Sequence, residues 1–357
     1  MNVWGNNIKL SVFGESHGIA IGMAVDGLPA GESIDVNEIR REMMRRAPGH
    51  DPFSSARHET DDVEILSGMK DGFTTGAPVC GLIRNRDARS GDYDGTLRPG
   101  HADWSALLKY GGYADMRGGG HFSGRLTALL VFAGAMAKQV LRRRRVNIYG
   151  RIAAIGGAVD ADSPRDEEDW RSFSSSRFPA SREAAASMSR AMETARADKD
   201  SVGGVVEAVA YGVPGGVGEP FFASLESIAA SMLFSIPAVK GVEFGAGFRL
   251  ADIRGSESND AIVIKDGAIS SPTNNCGGIL GGISNGMPIV VRAAFKPTPS
   301  IEKSQRTVDP ADMTEKNTEI KGRHDACIVP RAVPVVEAGL ALSVLDCMSA
   351  GRGFLPA

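Results

Sequence analysis

Two short apolar runs near the start, residues 8–13 and 19–25, flank the pentapeptide Gly14–Glu15–Ser16–His17–Gly18. Both runs are rich in β-branched and small apolar residues and predict strands, and the bracketing glycines predict a tight turn between them. A chain built this way commits to a hairpin with one polar tip. His17 rides on that tip, where an imidazole titrates near neutral pH and can move a proton. A water-facing histidine on a plain turn is the alternative, and only the other segments decide between the two.

The 357 residues are 42% hydrophobic, enough for a large core in one large domain or two ordinary ones. A formal net charge of −3 provides no global field toward nucleic acid or membrane. No apolar run reads as membrane-spanning and Met1–Gly5 does not read as a signal peptide, so a cytoplasmic protein is expected. Cys80, Cys276, Cys327 and Cys347 are far apart, have no metal-ligand spacing and read as free cytosolic thiols. Glycine is the unusual component: 44 residues, many in clusters, against 6% aromatics, a pattern of tight loops where backbone approaches ligand.

Residues 36–47 predict a helix with Asp35 as N-cap and Glu38 completing a capping box. Its basic end, Arg45 and Arg46, suits a helix C-terminus or an anionic ligand. After a polar loop carrying Arg57, His58 and Glu59, strands are expected at 63–69 and 78–83. A long charged loop, 85–100, then leads to His101 at or near the start of a short helix. A second glycine-rich loop, ending Arg117–Gly118–Gly119–Gly120, opens into His121–Phe122–Ser123–Gly124–Arg125 and then a helix running to about Arg145 that is apolar nearly all round, with a solvated basic end. Such glycines let backbone N–H groups close on a phosphate or flavin edge. Further strands are expected at 146–155, 202–213, 239–244, 262–264 and 287–295, and helices at 182–197, 221–234 and 333–348. Residues 156–181 are acidic and read as a surface excursion. A third glycine-rich loop spans 274–282.

No Cys/His cluster suggests a metal, and although Ser16 stands at the centre of Gly14–Gly18, the run joins two predicted strands rather than the strand and helix of a serine-hydrolase elbow. From residues alone, the set fits an enzyme for a multiply anionic small molecule, working by general acid–base chemistry.

At this point a family resemblance emerges. Gly14–Glu15–Ser16–His17–Gly18 with Val25–Asp26–Gly27–Leu28–Pro29 resembles the first signature of chorismate synthase. Arg98–Pro99–Gly100–His101–Ala102–Asp103 resembles its second histidine segment, and residues 118–125 its central signature. Residues 278–282, Lys296–Pro297–Thr298 and Arg323–His324–Asp325 resemble its C-terminal segments, in order. The likeness runs from about residue 7 to about 348 and makes the chain a single domain. Pro52, His121, Gly124, Pro237, Pro299 and Ala326 depart from the residues common in the family.

The resemblance implies an α+β fold, a β-α-β sandwich with helices packed between two antiparallel sheets, assembled as a homotetramer. It implies an anti-1,4-elimination of phosphate from 5-enolpyruvylshikimate 3-phosphate to chorismate, the last common step toward aromatic amino acids. Reduced FMN is required with no net redox change, and NADPH enters only as a source of reduced flavin. By resemblance, His17 protonates the leaving phosphate, His101 protonates the reduced ring, and Asp325 assists removal of the substrate hydrogen. Arg46, Arg57, Arg125 and Arg323 bind substrate anions. Arg46, His121, Phe122, Ser123, Pro237, Ala238, Gly281, Lys296, Pro297, Thr298, Pro299, Ser300 and Arg323 line the flavin. A flavin-binding module without catalysis and a sugar-phosphate phosphatase are the competing readings.

Overall fold

The computed structural model describes residues 2–49, 61–86, 96–320 and 325–350. One sheet comprises β1 (Val3–Trp4), β2 (Lys9–Gly14), β3 (Ala20–Asp26), β4 (Glu64–Ser67) and, beyond the small hairpin β5–β6 (Met69–Lys70, Phe73–Thr74), β7 (Val79–Arg84). Its order is β1–β2–β3–β7–β4, antiparallel throughout. The second sheet comprises β8 (Asn147–Ile155), β9 (Ala158–Val159), β10 (Gly204–Tyr211) and β11 (Val239–Phe244). After the hairpins β12–β13 (Val263–Lys265, Ala268–Ser270) and β14–β15 (Ile279–Leu280, Ile283–Ser284), it gains β16 (Ile289–Phe295). Its order is β11–β16–β10–β8–β9, again antiparallel. A last hairpin, β17–β18 (Gln305–Asp309, Thr314–Thr318), stands apart from both sheets. The period of two expected of a half-buried strand is clear in β16, where Ile289, Val291, Ala293 and Phe295 face the core.

The helices are α1 (Val36–Arg46), α2 (Asp103–Tyr110), α3 (Thr127–Arg143), α4 (Glu167–Ser175), α5 (Arg182–Ala197), α6 (Leu225–Phe234), the one-turn α7 (Gly255–Ser258) and α8 (Val329–Ser349). α8 packs on β8 and β10, α3 packs on β3 and on α8, and α1 and α6 flank the pair. The two central helices approach closely because Gly134 of α3 has no side chain: a Cβ there would lie 2.2 Å from the Cβ of Ala338. Phe132, Leu129 and Met136 of α3 are fully buried in the resulting core. Each such side chain contributes about 1.5–3 kcal/mol relative to exposure. The expected sandwich is therefore the one observed.

By length and composition α3 with its lead-in (Gly124–Arg143) and α8 are long enough to cross a membrane, contrary to the sequence reading, and 89% of each apolar window is buried inside the fold. α3 begins at Thr127, just past the expected start after Arg125, and is preceded by short 3₁₀ turns over Arg117–Phe122, interrupted by the positive φ of Gly118, Gly119 and Gly120, and over Gly124–Leu126. α8 starts four residues earlier than expected, since Pro330 falls in the first turn, where its missing N–H costs nothing. Asp35 caps α1 by accepting from the Asn37 N–H, but Glu38 pairs with Arg142 instead of closing a box.

Several charged side chains are internal, including some the sequence reading placed in solvent. Glu337 of α8, wholly buried, accepts from Arg45 through two nitrogens at 2.7 Å each, from Lys138, and from Ser174 Oγ at 3.1 Å. Burial opposes its ionisation, but Arg45 and Lys138 prevail and hold the carboxyl down at about 2. Arg45 is thus a core lock rather than a ligand-facing arginine. Arg143 and Arg144, read as a solvated helix end, both bind the buried Glu32. Asp346 of α8 accepts from the backbone N–H groups of Asn6, Asn7 and Ile8 at 3.1, 2.6 and 2.8 Å, tying the start of β2 to the helix core. Within 156–181, α4 is exposed on one face yet anchored by Trp170, which is buried beneath the Arg151 guanidinium 5.9 Å away.

Candidate active site

The β2–β3 turn carries His17 onto the second glycine loop. Ser16 N–H donates to the Gly120 carbonyl at 3.1 Å, and Ser16 Oγ lies 3.3 Å from His17 Nδ1. The imidazole occupies the space that a side chain at Gly118 would need. A Cβ there, at a φ of 64°, would sit 1.8 Å from two ring atoms. The glycine is therefore required by the histidine, a close approach the sequence reading had assigned to a ligand.

His101 precedes α2 by two residues, with Ala102 between as N-cap. Its Nε2 is 2.8 Å from Ser300 Oγ. The segment is pinned by Arg98, which donates to both carboxylate oxygens of Asp103 at 2.7 Å. Burial works against ionised Asp103, and the hydrogen bonds from Arg98 outweigh it and hold the carboxyl below its ordinary range.

β16 delivers Lys296 to Ser300 opposite that segment. Lys296 Nζ donates to the Gly100 carbonyl at 2.5 Å. Burial, and secondarily the charge of Lys240, push the Lys296 ammonium below its usual range. Lys296 N–H donates to the carbonyl of Ala238 at 3.0 Å. Ala238 itself holds a φ of 73°, a left-handed conformation that costs a non-glycine residue about 1–2 kcal/mol. Such strain concentrates at ligand sites. Phe122 and His121 stack with ring centres 4.1 Å apart, and Tyr110 meets His121 edge-on at 5.6 Å.

On the facing wall, Arg331 of α8 donates to Asp325 at 2.7 Å and to the Arg46 carbonyl at 2.9 Å. Arg46 and Arg125 both bind Asp61. These walls enclose a cavity of about 790 Å³, within the 300–1,000 Å³ that small-molecule and cofactor sites span. His17, His101, Asp325, Arg46, Arg125, His121, Phe122, Ser123, Pro237, Ala238, Lys296, Thr298, Pro299 and Ser300 all line it. Pro297 and Gly281 do not. Gly281 turns the β14–β15 hairpin, and its neighbours Gly277, Gly278 and Gly282 make room for other backbone rather than for the cavity. Arg57 and Arg323 lie outside the described residues.

Asp61, Arg98, Lys240 and Arg331 line or support the site without having been singled out in sequence. For Arg331 the one available signal was a cation six residues beyond Asp325 at the head of an apolar helix.

The cavity, cationic on several sides and flanked by two histidines and an aspartate, has the make-up of an acid–base enzyme for a polyanionic small molecule. A chorismate synthase family model matches residues 8–349. The chorismate synthase of Thermococcus kodakarensis is 50% identical over 347 residues, covering 96% of each chain. That of Archaeoglobus fulgidus is 50% identical over 360 residues, covering 100% of this chain and 99% of its own. A crystal structure of chorismate synthase superposes with a TM-score of 0.75 at 30% identity, over 96% of this chain and 92% of that one. The chain belongs to the chorismate synthase family, and so to the lyases.

Proposed function

We propose that this protein converts 5-enolpyruvylshikimate 3-phosphate to chorismate by anti-1,4-elimination of phosphate and a ring hydrogen, with reduced FMN as cofactor. The observation that carries the reading is the convergence of segments far apart in the chain, bearing His17, His101, Asp325 and the Arg46–Arg125 pair, on one cavity. The substrate has two carboxylates and a phosphate, which planar guanidinium groups recognise best.

The residues present fit a flavin phosphate. Thr298 Oγ1 is buried and has no hydrogen-bond partner among the described residues. A buried hydroxyl left so costs about 1–3 kcal/mol, which a ligand acceptor or donor would recover. Lys296 lies two residues before it in the chain, its ammonium disfavoured by burial and then by Lys240 until an anion offsets both. Arg46, His121, Phe122, Ser123, Pro237, Ala238, Lys296, Thr298, Pro299 and Ser300 would hold the cofactor. The chemistry that bound reduced FMN supplies is transient electron donation with no net oxidation.

The chain's own groups do the rest. His17, its Nδ1 beside Ser16 Oγ, protonates the departing phosphate from Nε2, where negative charge develops. His101, held by Ser300, handles the proton at the cofactor edge. Asp325, oriented by Arg331, assists removal of the ring hydrogen. A cytoplasmic setting is supported by four free thiols. A homotetramer is supported by outward apolar side chains at Phe221, Phe222, Ile264 and Ile269.

The test is an anaerobic assay with and without reduced FMN. Many turnovers per flavin are expected. Stoichiometric flavin oxidation refutes the mechanism, and phosphate release without reduced FMN points to a phosphatase.

A further inference from the structure

Two of the arginines that line the cavity do not stand alone on its wall. Arg46 ends α1 and Arg125 lies in the 3₁₀ turn before α3, and the chain supplies one carboxylate, Asp61, between them. Arg46 Nη1 reaches Asp61 Oδ2 at 2.5 Å, and Arg125 Nη1 reaches Asp61 Oδ1. The three side chains are 6%, 4% and 0% exposed for Arg46, Arg125 and Asp61. Further hydrogen bonds set each guanidinium plane: Arg46 Nε to Thr127 Oγ1 at 3.3 Å, Arg46 Nη2 to the Gly124 carbonyl at 3.2 Å, and Arg125 Nε to Asn85 Oδ1 at 3.3 Å.

Two buried guanidinium groups at this separation repel one another, and arginine cannot shed its charge. A single ionised carboxylate shared between them cancels one charge and leaves the pair with a net charge of about +1. Burial opposes the ionisation of Asp61, and the charges of Arg46 and Arg125 overcome it and hold the carboxyl below its ordinary range.

We infer that Asp61 is a positioning residue for the proposed elimination. One carboxylate, shared in the cavity wall, sets the spacing and orientation at which Arg46 and Arg125 meet the anionic substrate. Asp61 acts through the arginines. The inference rests on the reading of Arg46 and Arg125 as substrate-binding groups.

The experiment compares the parent with Asp61→Asn and Asp61→Glu, using 5-enolpyruvylshikimate 3-phosphate and reduced FMN anaerobically, with circular dichroism to confirm folding. Asp61→Asn keeps the shape but removes the charge, and should raise KM for substrate at least tenfold while kcat falls less than threefold. Asp61→Glu restores the charge on a longer stem and should recover part of the loss. A merely structural carboxylate would instead lower the fraction of folded protein and leave KM of the survivors unchanged. A folded Asp61→Asn with parental KM overturns the inference. Should Asp61→Asn fail to fold, Asp61→Glu decides: KM raised at least threefold supports it, and parental KM overturns it. A parent that forms no chorismate defeats the functional reading itself, an outcome separate from parental KM in the variants.

Discussion

Replacing Gly118 with alanine tests whether the second glycine loop exists to seat His17. The φ of 64° at Gly118 costs an L-residue about 1–2 kcal/mol. The new Cβ would also lie 1.8 Å from two atoms of the His17 ring and 2.9 Å from Ser16 Oγ. The hydroxyl sits on a rotatable bond and gives way, whereas the ring must leave its position. Overpacking of this kind adds about 1–3 kcal/mol. Gly118→Ala should therefore destabilise the parent by about 2–5 kcal/mol, but destabilise His17→Ala by only the backbone share, about 1–2 kcal/mol. Urea unfolding of the four proteins of this cycle measures the coupling, expected at about 1–3 kcal/mol. Anaerobic turnover supplies the second reading. A general acid contributes about 10²–10⁴ in rate, so a displaced His17 should slow chorismate formation at least tenfold, toward the level of His17→Ala. Equal stability costs with and without the ring, or parental turnover in Gly118→Ala, would refute the steric argument.

Asp325→Asn should fold and lose most turnover, while Arg331→Ala should lose less and keep the flavin spectrum; near-parental turnover in Asp325→Asn would make the carboxylate only an ion-pair partner for Arg331. Glu337→Gln removes one of the two carboxylates that Arg45 and Lys138 share, leaving them Glu42, and should cost about 3 kcal/mol at neutral pH. The Glu337 carboxyl sits at about 2 against an ordinary 4.5, so its stabilisation, about 3 kcal/mol, is present above pH 4.5 and lost as pH falls toward 2. The gap between parent and Glu337→Gln in urea midpoint should narrow over that range, and a gap that stays constant with pH would show that the charge is not what matters.

The strands and helices with strong periodicity were readable before any coordinates. β2, β3, β11 and α5 fall within a residue or two of expectation, because alternation and 3.6-residue spacing are local properties of the chain. The two histidines were readable for a similar reason, each being a polar residue fixed among glycines. What escaped was pairing. Arg45 and Arg46 are adjacent and look alike, yet one turns into the core toward Glu337 and the other to the cavity wall and Asp61. Their partners lie 292 and 15 residues away, and no spacing rule in a single sequence links an arginine to a carboxylate brought to it by the fold. In the third glycine loop Gly277, Gly278 and Gly282 lie against other backbone while Gly281 faces open space, a difference the letter alone does not carry.

α8 has consequences for how the chain is made. It is buried along nearly its whole length against β8, β10 and α3, and Asp346 near its end binds the backbone that opens β2. On the ribosome it follows every strand of both sheets, so the face of the second sheet that it covers, at β8 and β10, waits for residues 329–349 to emerge. Native closure then waits on α8, and nascent chains are at their most aggregation-prone just before it arrives.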